Sequence, residues 1–133
     1  MKQFLLDTHV ALWALATPER LDEVLQRELA DPRNVAAVSA AAVWEVEIKR
    51  ALGKLATPDG FAAECVRLGF DELPISFEHA ERAGRLPVVH TDPFDRMMIA
   101  QAQHEHLTIV TADPAFAGYE VDVRWVGKGW YDP

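Results

Sequence analysis

Four acidic residues of this chain, Asp7, Glu45, Asp95 and Asp113, each follow a point where a strand-like apolar run gives way to a helix-like pattern. In an open parallel sheet, ligands bind in the crevice beyond the carboxyl ends of the strands, so residues far apart in the sequence become neighbours there. The placement of these acids therefore predicts a parallel sheet with all four side chains at its carboxyl edge.

Carboxylates that share one edge of a sheet repel each other. At an effective dielectric constant near 20, two unit charges about 4 Å apart repel by roughly 4 kcal/mol, so such a cluster must take up protons or bind a cation. A ligand set made only of oxygen atoms is typical of Mg²⁺ or Mn²⁺ sites. The acids therefore predict a site for Mg²⁺ or Mn²⁺ as cofactor.

The hydrophobic pattern alternates between strand-like and helix-like segments. Strands are predicted at residues 3–6, 35–38, 72–75, 108–110 and 121–126. Helices are predicted at residues 9–16, 21–29, 58–68, 76–83 (ended by Gly84) and 93–106, and a further helix follows Ser39 with Trp44, Ile48 and Leu52 on its apolar stripe. This alternation predicts an α/β fold, a three-layer α/β/α sandwich with a central, mostly parallel sheet.

The composition fits one ordinary domain. A length of 133 residues with 50% hydrophobic content predicts a single domain spanning residues 1–133. The one cysteine excludes an intrachain disulfide, which suits the reducing cytoplasm. No signal peptide or apolar stretch of about 20 residues is visible, so no membrane association is expected. The net charge of −8 argues against nonspecific nucleic-acid binding, but a bound cation would change the local field and leaves a nucleic-acid substrate possible.

Four segments carry a resemblance to a known family. They are Leu-Leu-Asp-Thr-His at residues 5–9, Val-Trp-Glu-Val-Glu-Ile-Lys at 43–49 with Gly-Lys-Leu at 53–55, Asp-Pro-Phe-Asp-Arg at 92–96 with Ile-Ala-Gln-Ala at 99–102, and Val-Thr-Ala-Asp at 110–113. Each motif is weak by itself, but the ordered set spans nearly the whole chain. The set resembles the PIN-domain ribonucleases and, more narrowly, the VapC toxins of bacterial toxin–antitoxin pairs.

The resemblance implies a Mg²⁺- or Mn²⁺-dependent endoribonuclease that cleaves RNA phosphodiester bonds with a metal-activated water. By position, it implies four catalytic and metal-binding residues, Asp7, Glu45, Asp95 and Asp113. Thr8 and Thr111 are expected to support these ligands by hydrogen bonding, and Asp92 is expected to act as a helix cap or a neighbour of a ligand. The family also implies an RNA substrate, a cognate VapB-like antitoxin and a homodimer.

Each acid also has a purely structural interpretation. Asp7 and Asp113 fit as helix caps, and Asp95 in a first helical turn would be stabilised by the helix dipole. Glu45 can form an i,i+4 ion pair with Lys49. Glu47 flanks the same apolar stripe as Glu45 on its opposite side, so periodicity does not choose between these two.

Two basic residues close to the acids, Lys49 and Arg96, are candidate substrate-binding residues, with solvated helix faces as the alternative. Trp13 and Trp44 are predicted to lie in the core. Trp125 and Trp130 are predicted to dock against the body or a partner.

The five histidines do not indicate a zinc site, because His104 and His106 lie two residues apart on a predicted helix and point to different sides.

Two other functions fit parts of the pattern. A noncatalytic PIN-like module that binds RNA or protein would use the acids only as caps. An aspartyl phosphoryl-transfer enzyme would use Asp7 as the phosphoryl acceptor. The sequence disfavours the second, because Thr8 and His9 follow Asp7 without the second acid two positions on that a haloacid-dehalogenase-like motif carries.

Overall fold

A five-stranded sheet forms the centre of the protein, whose computed structural model describes residues 1–127. The strands are β1 (Gln3–Leu6), β2 (Val35–Ser39), β3 (Asp71–Leu73), β4 (Thr108–Thr111) and β5 (Val123–Trp125). Their order across the sheet is β3-β2-β1-β4-β5, and every neighbouring pair is parallel. The predicted α/β class with a central parallel sheet is confirmed.

Helices flank this sheet. They are α1 (Thr8–Ala16), α2 (Glu23–Ala30), α3 (Ala40–Ala51), α4 (Phe61–Arg67), α5 (Phe77–Arg85) and α6 (Pro93–Glu105), with short 3₁₀ turns at Pro18–Arg20 and Pro114–Gly118. Helices α1, α3, α4, α5 and α6 contact one another in a connected group. Within residues 1–127, no helix has the length and apolar character that crossing a bilayer requires.

The strand order creates a topological switch at β1. The chain adds β2 and β3 on one side of β1 and then returns to add β4 and β5 on the other side. Leu5 of β1 pairs with Ile109 of β4, and both side chains are fully buried, so the core fixes the register of the two central strands. The carboxyl ends of β1 and β4 therefore border the position where open α/β sheets bind ligands.

Side-chain caps determine where three of the helices begin. Asp7 accepts a hydrogen bond from the backbone N–H of Val10, and Ser39 accepts one from Ala41. Asp92 accepts hydrogen bonds from the first two N–H groups after Pro93. These caps satisfy N–H groups that have no partner inside the helix. The caps predicted at Ser39 and Asp92 are confirmed.

Several predicted boundaries were wrong for reasons of backbone conformation. The helix predicted at residues 58–68 begins only at Phe61, after Gly60 adopts a left-handed conformation with φ of 90°. Gly84 does not end α5, which continues to the position before Leu86 and Pro87, where proline disfavours a helical conformation of its predecessor. Strand β3 stops before Pro74, which has no N–H for the ladder. The predicted edge strand at residues 121–126 is limited to β5.

The predicted apolar stripe of α3 was also wrong. Trp44 and Leu52 are 62% and 63% exposed, whereas the buried positions of this helix include Ala42, Glu45 and Val46. Small alanines on the buried side let the helix approach the sheet, and this orientation carries Glu45 inward. Trp44 instead forms an edge-to-face contact with Phe94 at a centroid distance of 5.5 Å.

The other tryptophans differ from one another in burial. Trp13 is buried in the core, as predicted. Trp125 is 43% exposed on the edge strand β5. Trp130 lies outside the described residues, so its predicted docking stays a prediction.

Replacing the two helical tryptophans should separate their environments. Trp13→Ala should lower the free energy of unfolding by about 3–5 kcal/mol, because it leaves a cavity in the core. Trp44→Ala should lower it by less than about 1.5 kcal/mol, because mainly the edge contact with Phe94 is lost. Urea unfolding measures both values, and similar losses for the two variants would contradict the orientation of α3.

Candidate functional site

The first acid lies directly after the central strand β1. Asp7 is only 6% exposed, and its Oδ1 accepts the N–H of Val10 at 2.8 Å. Its Oδ2 accepts a hydrogen bond from the hydroxyl of Thr111, the last residue of β4. The oxygen of that hydroxyl accepts the N–H of Asp113 at 3.0 Å. Thr111 therefore links the two acids that follow β1 and β4.

The second acid is Glu45, in the middle of α3. It is 4% exposed, its Oε1 accepts the hydroxyl of Thr8 at 2.6 Å, and its Oε2 lies 2.8 Å from the Nζ of Lys49. The side chain of Glu47 is 52% exposed and pairs with Arg50 on the surface. The structure thus places Glu45, and not Glu47, on the inner side of the helix.

The sequence predicts that the third acid, Asp95, follows a strand, but in the structure it does not. Asp95 lies in the first turn of α6, and α5 with a loop separates it from β3. Helix α6 ends just before β4 begins, so the end of the helix lies near the amino edge of the sheet. Its first turn therefore lies at the carboxyl edge. Donor atoms of Asp95, Asp113 and His90 all lie within 4.8 Å of one another. The direction of α6 therefore places Asp95 at the same edge of the sheet as Asp7 and Asp113, each of which follows a strand.

Burial and mutual repulsion alter the acid–base behaviour of this cluster. Burial raises the pKa of Asp7 to about 7, and the charges of Asp95 and Asp113 add to the rise, against the hydrogen bonds from Thr111 and Val10. Burial likewise raises the pKa of Asp95 to about 6, opposed by its hydrogen bond with His90. The metal-free cluster therefore retains protons that isolated carboxylic acids release.

The structural contacts considered as alternatives are present alongside this convergence. Asp7 caps α1, and Asp113 caps the turn at Pro114–Gly118 by accepting the N–H of Ala115. Asp92 caps α6, and Glu45 pairs with Lys49. A carboxylate oxygen has two lone pairs, so an oxygen that accepts one hydrogen bond retains a second position for a cation. The donor set fits a divalent cation that prefers oxygen.

Arg96 does not contact the carboxylates. Its guanidinium donates to the backbone carbonyls of Ala83, Leu86, Pro87 and His90, at distances of 2.9–3.2 Å. Those bonds hold the loop between α5 and α6. These contacts favour a structural role for Arg96, and its part in substrate binding stays a prediction.

Sequence reasoning missed His90, which enters the cluster from that loop. Its Nε2 lies 2.7 Å from the Oδ2 of Asp95, and 22% of its side chain is exposed. The only local signal was a histidine two residues before the cap of α6. The path of the loop is fixed by Arg96 and Tyr119, and this path cannot be read from residue spacing.

The family relationship agrees with this geometry. The family described as PIN domain matches residues 4–121. The chain therefore belongs to the PIN-domain family, whose members are generally nucleases. No curated protein matches the chain.

Solved structures with a similar fold include several VapBC proteins. One chain of VapBC2 from Rickettsia felis, bound to a promoter DNA fragment, has a TM-score of 0.70 and 16% identity, covering 93% of this chain and 98% of that chain. DNA-bound VapBC from Salmonella typhimurium has a TM-score of 0.65 and 17% identity, covering 94% of this chain and 98% of that chain. VapBC-5 from Mycobacterium tuberculosis has a TM-score of 0.59 and 22% identity, covering 95% of this chain and 98% of that chain. The resemblance noted in the sequence is confirmed for family and fold.

The raised pKa values predict an unusual pH dependence of stability without metal. Because the native pKa of Asp7 and Asp95 exceeds the value of 3.8 for an unperturbed aspartate, the native state holds protons that the unfolded chain has released. The free energy of unfolding should therefore fall as pH rises from about 4 to about 7. In EDTA, we expect calorimetry to give a Tm about 5 °C higher at pH 5 than at pH 7.5.

Asp7→Asn is the control for this titration, since it removes the group with the largest shift. The variant should show a much flatter dependence of Tm on pH. A wild-type Tm that is constant or rises between pH 5 and pH 7.5 in EDTA would contradict the prediction.

Proposed function

We propose that this protein is a divalent-metal-dependent endoribonuclease and the toxin of a toxin–antitoxin pair. The observation that carries the proposal is the convergence of Asp7, Glu45, Asp95 and Asp113 at the carboxyl edge of the sheet in a PIN-domain protein. Buried carboxylates this close are stabilised by a cation. Phosphodiester hydrolysis is a reaction that such cations promote.

Mg²⁺ or Mn²⁺ is the proposed cofactor, held by those four acids. When bound, the cation activates a water molecule and neutralises charge on the phosphate oxygens. The hydroxyl of Thr111 orients Asp7, and the hydroxyl of Thr8 orients Glu45. Either Glu45 or Asp95 accepts the proton of the attacking water.

The contacts of Asp7 argue against a phosphoryl-transfer enzyme. Both of its oxygens accept hydrogen bonds, from Val10 and Thr111, and the side chain is 6% exposed. A phosphoryl acceptor must reach the phosphorus atom of a bulky donor, whereas a small cation needs only the remaining lone pair of a carboxylate oxygen. The noncatalytic module remains the competing proposal, since the caps at Asp7 and Asp113 are formed.

The partners follow from the charge and from the similar structures. A net charge of −8 favours a basic partner segment, because complementary charge accelerates and orients association. We propose a VapB-like antitoxin, by analogy with the VapBC complexes of similar fold. We also propose that the protein forms a homodimer and that it acts in the cytoplasm, where RNA and antitoxin are available.

Two glutamates on one helix give a matched test of the reaction. Glu45→Gln should reduce Mn²⁺-dependent cleavage of total cellular RNA by more than the roughly 10- to 100-fold that losing a ligand's hydrogen-bond partner costs. Glu47→Gln should cleave like the wild type, because Glu47 lies on the surface. Mapping new 5′ ends with and without Mn²⁺ measures cleavage.

Two results would contradict the proposed activity. Equal cleavage by Glu45→Gln and the wild type would remove Glu45 from the site. Metal binding by the wild type without any new 5′ ends, across transfer, ribosomal and messenger RNA, would favour the noncatalytic module.

Lys49 offers a test of RNA binding at the site. Its Nζ contacts Glu45, it also interacts with Asp92 and Asp95, and 41% of its side chain is exposed. We propose that it contacts an RNA phosphate. Lys49→Gln should raise the KM and lower the slope of log affinity against log salt by about 0.7, the value for one phosphate of a single strand.

Lys54→Gln is the control for Lys49, because it removes the same charge from an exposed position three residues after the end of α3. Its KM and salt slope should stay close to those of the wild type. Identical salt slopes for the wild type and Lys49→Gln would exclude the phosphate contact.

A further inference from the structure

A histidine ring stands among the carboxylates of the proposed metal site. The Nε2 of His90 lies 2.7 Å from the Oδ2 of Asp95, and one donor atom each of His90, Asp95 and Asp113 lie within 4.8 Å of one another. Ligands on opposite sides of one Mn²⁺ or Mg²⁺ ion, at about 2.1 Å each, are about 4.2 Å apart. The 4.8 Å limit exceeds that span by only about 0.6 Å, so a small movement of the side chains brings the three atoms to distances at which they share a single ion.

The backbone around His90 is held by several hydrogen bonds. Its N–H donates to the hydroxyl of Tyr119 at 2.8 Å, and its carbonyl accepts from Arg96 at 3.2 Å. The hydroxyl of Tyr119 donates to the carbonyl of Pro87 at 3.0 Å, and Arg96 holds the carbonyls of Ala83 and Leu86. The ring is therefore presented from a fixed loop, which is what a metal ligand requires.

The nitrogen chemistry of the ring permits coordination. A neutral imidazole carries one proton, on either ring nitrogen, and the tautomer decides whether Nε2 of His90 donates to Asp95 or accepts from its protonated carboxyl. Among residues 1–127, no donor hydrogen-bonds to the Nδ1 of His90. The proton can therefore reside on Nδ1, which leaves the lone pair of Nε2 free for a cation.

A second group of possible ligands, His79, His104 and Glu105, fails the same test. The Nδ1 of His79 accepts the backbone N–H of Ser76 in the cap of α5, so its neutral ring carries the proton on Nε2. That Nε2–H donates to Glu105, at 2.8 Å. No lone pair on this ring is available to a cation unless the helix cap breaks.

We propose that the Nε2 of His90 is a direct ligand of the divalent cation, together with Asp95 and Asp113, and that this nitrogen makes the site prefer Mn²⁺ to Mg²⁺. The inference rests on the proposed metal-dependent function and adds a nitrogen ligand to the four acids. Mg²⁺ favours an all-oxygen shell, whereas imidazole is a better ligand for transition metals. In the alternative arrangement, His90 does not bind the cation and only orients Asp95 through a hydrogen bond.

Pulsed electron paramagnetic resonance of bound Mn²⁺ distinguishes these arrangements without measuring cleavage. A directly coordinated imidazole gives ¹⁴N modulation of the electron spin echo, and a ring that only hydrogen-bonds to Asp95 does not. We expect ¹⁴N modulation in the wild type, and a changed pattern when histidine is labelled with ¹⁵N. His90→Gln should lose the modulation, and His104→Gln should keep it.

Metal affinities provide the second measurement. By calorimetry, His90→Gln should weaken Mn²⁺ binding by about 10-fold or more, and Mg²⁺ binding by less than about threefold. His104→Gln should change neither affinity. Thermal unfolding in EDTA checks that both variants are folded.

The outcomes separate this inference from the proposed function. Mn²⁺ bound by the wild type without ¹⁴N modulation would overturn the role of His90 and leave the proposed function in place. Modulation retained in His90→Gln and lost in His9→Gln would assign the nitrogen to His9 and overturn the inference. Wild-type protein that binds neither Mn²⁺ nor Mg²⁺ would overturn both proposals.

Discussion

The structure depends on the confinement of like charges at one edge of a parallel sheet. Asp7 is almost fully buried beside Asp95 and Asp113, and burial raises the pKa of Asp7 to about 7. Repulsion at such distances costs several kcal/mol unless protons or cations compensate it. The hydroxyl of Thr111 holds Asp7 in place, and the hydroxyl of Thr8 holds Glu45. An edge of this kind is stable at neutral pH when a divalent cation shares it.

The acids combine architecture with chemistry. Asp7 follows β1, caps α1 and presents a second oxygen to Thr111, so one residue joins a strand, a helix and the neighbouring strand. Asp92 begins α6 and thereby sets the position of Asp95 three residues later. Because the cap contacts fix the rotamers of the acids, the same contacts that a purely structural interpretation requires also preorganise the proposed metal site. Such contacts therefore do not count against a functional role.

The loop between α5 and α6 completes the edge. Arg96 was a candidate for substrate binding, but it satisfies four carbonyls of that loop and its approach. Together with Tyr119 it determines where His90 projects. A basic residue beside an acidic motif can thus act on the site through the backbone it holds, whereas Lys49 contacts a carboxylate of the cluster directly.

The sequence by itself determined the alternation of strands and helices, the parallel sheet, the family and the convergence of Asp7 and Asp113, because periodicity, caps and strand ends are local properties. It placed Trp44 in the core, and although the family resemblance assigned Glu45, periodicity could not choose between Glu45 and Glu47, since the rotation of α3 depends on how its alanines pack. It also missed His90. Only the tertiary structure decided these points, because helix rotation and loop path follow from contacts between residues distant in the chain.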